Sequence, residues 1–84
     1  MNRDAITAEI LSALKEVAPE VDAGTLHPAR NFRDQFEFDS IDFLDLVLKV
    51  EKRLAIKIPQ AHYPQLSSLS GALDYIDSAT AVRP

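Results

Sequence analysis

The serine at position 40 lies where a hydroxyl group could take part in chemistry, between carboxylates at the predicted start of a helix. The sequence there is Asp39-Ser40-Ile41-Asp42. Asp and Ser at this place are typical helix N-caps, because their side-chain oxygens accept hydrogen bonds from N–H groups of the first turn. The same N–H groups and the positive end of the helix dipole also favour a phosphate that is bound or attached there. Ser40 therefore has two candidate roles, as a cap and as an attachment point for a phosphate group.

Catalysis by the chain itself is disfavoured by the residues around Ser40. No G-x-S-x-G motif surrounds it, and His27 and His62 lie in no recognisable catalytic motif. The chain has no Cys, which excludes a thiol nucleophile and a zinc–thiolate site. A calcium loop fails on spacing, because the only glycines are at 24 and 71. We therefore predict neither an enzyme nor a metal site.

Composition narrows the class of protein further. The 84 residues predict one domain, 1–84, and the 46% hydrophobic and 26% charged residues are typical of a globular chain. No apolar run exceeds three residues, so no membrane insertion is expected, and no signal segment is recognised. The net charge of −4 argues against nucleic acid as a partner. We expect a cytoplasmic monomer.

Three amphipathic patterns predict helices over about 3–18, 40–54 and 68–80. Pro19 ends the first, and Ser67 or Ser68 is expected to cap the third. Pro59 and Pro64 bracket a segment with room for at most one short helical turn. Only residues 55–58 resemble a strand, and weakly, so no sheet is predicted.

A connection of 21 residues, from Pro19 to Asp39, joins the first two helices. A loop of this length in a small domain is either functional or contains an unrecognised helix, and we expect its apolar residues to anchor it on the core. These residues are Val21, Leu26, Phe32, Phe36 and Phe38. The predicted fold is all-α, a small bundle of three main helices and one short helix with a long loop between helices 1 and 2.

The second helix carries an apolar and acidic strip outside its core face. Ile41, Asp45 and Leu48 recur at i, i+4 and i+7 on this strip. Residues 34–51 hold six acids and one lysine, Lys49, which gives them a net charge of −5. Single exposed apolar residues are common and need no function. Together with the charge, however, the pattern predicts a surface that steers basic partner proteins.

With these features the chain resembles the acyl carrier protein family. The resemblance rests on Asp39-Ser40-Ile41-Asp42, an amphipathic helix and then Ile58-Pro59, and on the later segment from Leu66 to Ile76. It covers about residues 3–80 and implies a four-helix bundle. It also implies that Ser40, flanked by Asp39 and Ile41, carries covalent 4′-phosphopantetheine, whose thiol would hold an acyl group as a thioester.

The resemblance further implies partners and a cavity. The partners would be a phosphopantetheinyl transferase and acyl transferases, ligases or synthases with basic docking patches. Their docking residues would be Asp39, Ile41, Asp42, Asp45, Leu48 and Glu51. An acyl chain could retreat between the helices, with Phe32, Phe43, Val47, Ile58, Leu66 and Tyr75 as candidate lining residues.

Four positions depart from the pattern common in the family. Glu37 stands where many carriers have Gly, and Lys49, Lys52 and Arg53 interrupt the acidic run. We therefore expect a specialised carrier in fatty-acid, lipid or polyketide synthesis, whose cargo has no local signature. The alternatives are an aminoacyl or peptidyl carrier and an unmodified helical protein-interaction domain.

Overall fold

The computed structural model describes residues 2–80 and consists of helices joined by loops. Three α-helices, α1 (Arg3–Val17), α2 (Ser40–Leu54) and α3 (Leu69–Thr80), are accompanied by a first 3-10 turn (Phe32–Asp34) and a second 3-10 helix (Gln60–Leu66). Residues 2–80 contain no strand. The predicted all-α fold, with three main helices, one short helix and a long loop between α1 and α2, is confirmed.

The helix ends follow from local capping. Asn2 caps α1, since its Oδ1 atom accepts a hydrogen bond from the Ala5 N–H at 2.7 Å. Of the two predicted caps of α3, Ser68 is the one used, because its Oγ atom accepts from the Gly71 N–H at 3.0 Å. The Ser67 hydroxyl instead donates to a carbonyl of the preceding turn. The three predicted helices are confirmed, with bounds within one residue.

The prediction that Pro59 and Pro64 leave room for only one short turn is wrong. Pro64 lies inside the second 3-10 helix, which is seven residues long. The 3-10 pattern joins residues three apart, and it is made here by His62 N–H to Pro59 O at 2.9 Å and by Ser67 N–H to Pro64 O at 3.4 Å. Proline lacks one donor, so it removes one such bond without ending the segment.

The core forms around α1, which packs closely against both α2 and α3. Its aliphatic face is fully buried, and each side chain of this size contributes roughly 1.5–3 kcal/mol when removed from water. The core comprises Ile6, Ile10, Ala13, Leu14, Phe32, Leu46, Val47, Val50, Leu54, Ile58, Leu66, Ala72 and Ile76. No helix within residues 2–80 is both long and apolar enough to cross a membrane.

The long loop is anchored as predicted. Phe32 is 1% exposed and belongs to the core, while Val21, Leu26, Phe36 and Phe38 are partly buried against it. The three phenyl rings form a cluster with centroids 5.3 to 6.1 Å apart. Aromatic pairs at such distances add about 0.5–1.5 kcal/mol to the burial of their surface. The loop is therefore a packed part of the bundle.

The second 3-10 helix lies directly against α3 because position 71 is glycine. A Cβ atom built on Gly71 would lie 2.5 Å from the Gln65 carbonyl oxygen, a distance that atoms in contact do not adopt. Glycine is required here for close approach of two backbones. This contact holds the segment that carries Tyr63 and Pro64 at a fixed separation from α3.

Ion pairs join α1 to its two neighbours. Arg53 of α2 lies 3.0 Å from Glu9 and 2.7 Å from Glu16, and Lys49 lies 3.9 Å from Glu16. The hydrogen bond from the Arg53 guanidinium holds the pKa of Glu16 below its usual value of 4.5. At the other side, Arg3 pairs with two carboxylates of α3.

The Glu16–Arg53 pair should make stability depend on pH. Because the pKa of Glu16 is lower in the folded protein, the pair stabilises the fold above about pH 4.5 and loses this contribution as the pH falls through the folded pKa. Glu16→Gln should lower Tm at neutral pH, and the difference from the wild type should shrink below pH 4.5. The control is Glu20→Gln, at an exposed acid in the loop. A difference that stays constant on acidification would contradict the assignment.

Candidate functional site

Ser40 is the first residue of α2, and its neighbours hold the turn around it. Asp39 is the N-cap: its Oδ1 atom accepts from the Asp42 N–H at 2.9 Å, and the Asp42 carboxylate accepts from the Asp39 N–H at 3.2 Å. This reciprocal capping box satisfies two backbone donors. Of the two candidate roles of Ser40, the capping role belongs to Asp39. Ser40 is exposed, and within residues 2–80 its hydroxyl makes no hydrogen bond.

The first turn of α2 leaves N–H groups beside Ser40. Asp39 occupies the N–H of Asp42 through its carboxylate and that of Phe43 through its carbonyl, at 2.9 Å each. The N–H groups of Ser40 and Ile41 have no acceptor within the described part of the chain. A phosphate on the Ser40 oxygen would find these donors and the helix dipole favourable, and the two carboxylates unfavourable.

A cavity of about 320 Å³ opens beside Ser40, between α2 and the two 3-10 segments. Its walls are largely apolar, and the Phe43 and Tyr63 rings face each other edge to face with centroids 6.4 Å apart. The volume is at the lower end of the range for small-molecule sites. The lining residues are Phe32, Arg33, Phe38, Asp39, Ser40, Phe43, Tyr63, Pro64 and Ser67.

The predicted lining residues divide into three groups. Phe32 and Phe43 line this cavity. Val47, Ile58 and Leu66 are buried in the core and do not reach it. Tyr75 belongs to α3 and lies outside this cavity, and its hydroxyl contacts the Nδ1 atom of His62 at 2.7 Å.

Sequence reasoning missed Arg33, Tyr63, Pro64 and Ser67 as cavity residues. The sequence predicts only a short turn at Tyr63 and Pro64, and such a turn does not indicate which way their side chains point. One available sequence signal for an apolar cavity near Ser40 is Phe38. It lies two positions before Ser40 and lines the same cavity.

The strip predicted on α2 is brought together on one exposed face. Ile41 and Leu48 are 79% and 51% exposed, which is high for aliphatic side chains, and Leu44 beside them is 44% exposed. The Asp45 carboxylate is half exposed on the same face, 3.5 Å from the Lys49 ammonium group. These residues form what we call the docking strip, defined as Ile41, Leu44, Asp45 and Leu48.

Three acids predicted for partner binding have structural hydrogen bonds, and one of them is the cap residue Asp39. Asp42 belongs to the capping box, and Glu51 accepts a hydrogen bond from the Ile58 N–H at 2.7 Å. Glu51 is partly buried and ties the end of α2 to the segment before the second 3-10 helix. No group of His, Cys, Asp or Glu within residues 2–80 is arranged to hold a metal ion.

Comparison with known proteins identifies the class of this site. A family model described as a phosphopantetheine attachment site matches residues 7–76. The acyl carrier protein of Micrococcus luteus is 33% identical over 76 residues, covering 87% of this chain and 94% of that protein. That of Myxococcus xanthus is 31% identical over 74 residues, covering 84% and 94%. Fold and site thus define a carrier of the phosphopantetheine-attachment class.

A solved structure supports the same fold. The solution structure of a candidate acyl carrier protein from Anaplasma phagocytophilum matches 99% of this chain and 97% of that one, with a TM-score of 0.81 and 22% identity. The chain belongs to the acyl carrier protein family. Its prosthetic group is covalent 4′-phosphopantetheine. The exposed Ser40 hydroxyl, which makes no hydrogen bond in the part of the chain that is described, and the apolar cavity beside it fit such a group.

The capping assignment separates the stability effects of two adjacent residues. Asp39→Ala should lower the free energy of unfolding by about 1 kcal/mol, because it removes the cap of α2. Ser40→Ala should stay within about 0.5 kcal/mol of the wild type, because an exposed hydroxyl without a partner is removed. Urea unfolding of both variants measures this difference. An equal loss in both would contradict the assignment of the cap to Asp39.

Proposed function

We propose that Ser40 is the attachment residue of the prosthetic group and that the protein presents acyl groups, held as thioesters on that group, to partner enzymes. The observation that carries this proposal is the Ser40 hydroxyl, which is exposed, free of hydrogen bonds within the described residues and located at the mouth of an apolar cavity. The family match over residues 7–76 includes this position.

The residues of the chain position the arm and do no chemistry on the cargo. Ser40 Oγ supplies the oxygen of the phosphodiester bond, and the Asp39–Asp42 capping box fixes the turn that presents it. When bound, the prosthetic group supplies the thiol, which the chain lacks because it has no Cys. The aromatic walls of the cavity offer the arm or its cargo a surface shielded from water. We propose a single carrier domain without catalytic activity of its own, in the cytoplasm.

The docking strip is proposed to bind the phosphopantetheinyl transferase and acyl-handling enzymes through basic and apolar surfaces. Exposed Ile41 and Leu48 supply apolar contact, and Asp45 supplies charge. Of the cations that interrupt the acidic run, Arg53 pairs with acids of α1, whereas Lys49 lies 3.5 Å from Asp45 and offsets part of its charge. Asp39, Asp42 and Glu51 add negative charge at the two ends of the helix.

An aminoacyl or peptidyl carrier is the alternative within the same fold. The similar proteins from Micrococcus luteus and Myxococcus xanthus are both named acyl carrier proteins, which favours acyl cargo. Fatty-acid, lipid or polyketide synthesis is the proposed context. Incubating the loaded protein with acyl-activating and aminoacyl-activating ligases, followed by intact mass, distinguishes the two cargo classes.

Modification should depend on the Ser40 hydroxyl. Incubation with coenzyme A and a broad-specificity phosphopantetheinyl transferase should add one phosphopantetheine to the wild type and none to Ser40→Ala, as read by intact mass. Ser78→Ala, which removes an exposed hydroxyl on α3, is the matched control and should load fully. Loading of Ser40→Ala at the wild-type rate would refute the site.

The docking strip should control the rate of that modification. Asp45→Lys should lower kcat/KM of the transferase by roughly tenfold at low salt, equivalent to about 1.4 kcal/mol, and the effect should weaken as salt screens the charge. Leu48→Ala should lower it several-fold at any salt concentration, because it removes exposed apolar contact. Glu20→Lys, a charge reversal outside the strip, is the control. Wild-type rates in both strip variants, with unchanged Tm, would refute docking at this face.

A further inference from the structure

Arg33 lies on the wall of the cavity that opens beside Ser40. Its backbone belongs to the first 3-10 turn, which is held firmly in place. The preceding residue, Phe32, is buried in the core, and its N–H donates to the Ser67 carbonyl at 2.9 Å. On the other side, the Gln35 side-chain amide donates to the Arg30 carbonyl at 2.9 Å. The backbone of Arg33 is therefore held in place beside the cavity, and the residue is exposed.

Arg33 is also the one cation among the residues that line this cavity. Arg3 and Arg53 are engaged in ion pairs with carboxylates of neighbouring helices, and Lys49 pairs with Asp45 of its own helix and with Glu16 of α1. Arg33 makes no ion pair within residues 2–80. Its charge is therefore available beside a site that is otherwise acidic, since Asp39 lines the same cavity.

A phosphodiester on Ser40 adds one negative charge next to the Asp39 and Asp42 carboxylates. These carboxylates are committed to the capping box, so they cannot turn away from the new charge. A guanidinium group neutralises such a charge well, because its planar N–H donors match the geometry of phosphate oxygens.

The position of Arg33 also indicates on which side of α2 the arm would lie. Phe43 lines the cavity, whereas Ile41 lies on the docking strip. At about 100° per residue, these two side chains leave α2 on nearly opposite sides. A contact to Arg33 would therefore draw the arm to the cavity side of α2, away from the docking strip.

Building on the proposed function, we propose that Arg33 is a positioning residue that binds the phosphodiester of the arm attached to Ser40 and directs the arm over the cavity. In the unmodified protein Arg33 has no such partner, so its contribution appears only after modification. The contact lies near the surface and is therefore expected to weaken with salt, within a Debye length that falls from about 30 Å at 0.01 M to about 3 Å at 1 M.

The test compares the apo and modified forms of the wild type, Arg33→Gln, Arg33→Lys and Arg30→Gln. Arg30 is an exposed cation of the same loop that does not line the cavity, so it is the matched control. Each protein is loaded from coenzyme A, and intact mass verifies the loading. Three quantities are then measured at low and high salt: the modified-minus-apo difference in Tm, the ³¹P chemical shift of the phosphodiester, and the ¹⁵N–¹H resonance of the Arg33 side chain.

At low salt, the modified-minus-apo difference in Tm should be more favourable in the wild type than in Arg33→Gln by roughly 2–4 °C. The Arg33 side-chain resonance should shift on modification, and the ³¹P resonance of Arg33→Gln should move towards that of the unfolded modified protein. Arg33→Lys should recover part of the Tm difference, Arg30→Gln should behave as the wild type, and high salt should remove the effect.

Two failures are distinguishable. If the proteins load at Ser40 but the Tm difference and ³¹P shift are the same in Arg33→Gln as in the wild type, the role of Arg33 is refuted and the proposed function stands. If the folded wild type takes no group at Ser40, the proposed function is refuted and the role of Arg33 with it. Equal effects of Arg30→Gln and Arg33→Gln would also refute it, because they would show a general charge effect.

Discussion

The packing of α1 against both α2 and α3 is the constraint on which the rest of this structure depends. The buried aliphatic face of α1 holds the two other helices, which have no comparably close backbone packing with each other in the described chain. Ion pairs from Arg53 and Arg3 reinforce the two contacts at the surface. Aromatic rings line the space between α2 and the second 3-10 helix without filling it, so a cavity remains beside Ser40.

At the start of α2, the turn that carries Ser40 is held by its neighbours Asp39 and Asp42. An exposed serine can therefore be well positioned without being held by its own side chain. Asp39 and Asp42 satisfy backbone groups around Ser40, and the Ser40 hydroxyl contributes no hydrogen bond within the described residues. A residue that is to be modified benefits from this arrangement, because bond formation at its oxygen breaks no hydrogen bond of the described structure. The acids that fix the turn also place negative charge beside Ser40, the proposed attachment residue. A nearby cation such as Arg33 can offset this charge.

Much of the fold could be predicted from sequence because its signals are local. Helical periodicity, Pro19 and the hydroxyl groups near residue 68 were sufficient for the helix bounds, and the aromatic residues of the loop indicated that it is packed. The family resemblance of the Asp39-Ser40-Ile41-Asp42 segment predicted the identity of the prosthetic group. The sequence alone left open whether Ser40 or Asp39 caps α2, since either side chain can do so.

What could not be predicted depends on contacts between distant residues. Lys49 and Arg53 interrupt the acidic run of the sequence, but Arg53 pairs with Glu9 and Glu16 of α1, and Lys49 lies between Asp45 and Glu16. No local pattern reveals these contacts with α1. Glu51 was assigned to partner binding, yet it also accepts the Ile58 N–H seven residues later. The directions of the side chains in the second 3-10 helix, above all that of Tyr63, could not be predicted, because the two prolines indicated a shorter turn.

The glycine at position 71 has a mechanical consequence for the cavity. Because the Gln65 carbonyl lies against the Cα of Gly71 with no room for a methyl group, the second 3-10 helix cannot retreat towards α3 at this point. A guest too large for the present volume therefore cannot be admitted by moving the 3-10 helix alone towards α3 at this point. If α3 moved with it, the movement would strain the packing of α3 against α1 and the Arg3 ion pairs that join these two helices.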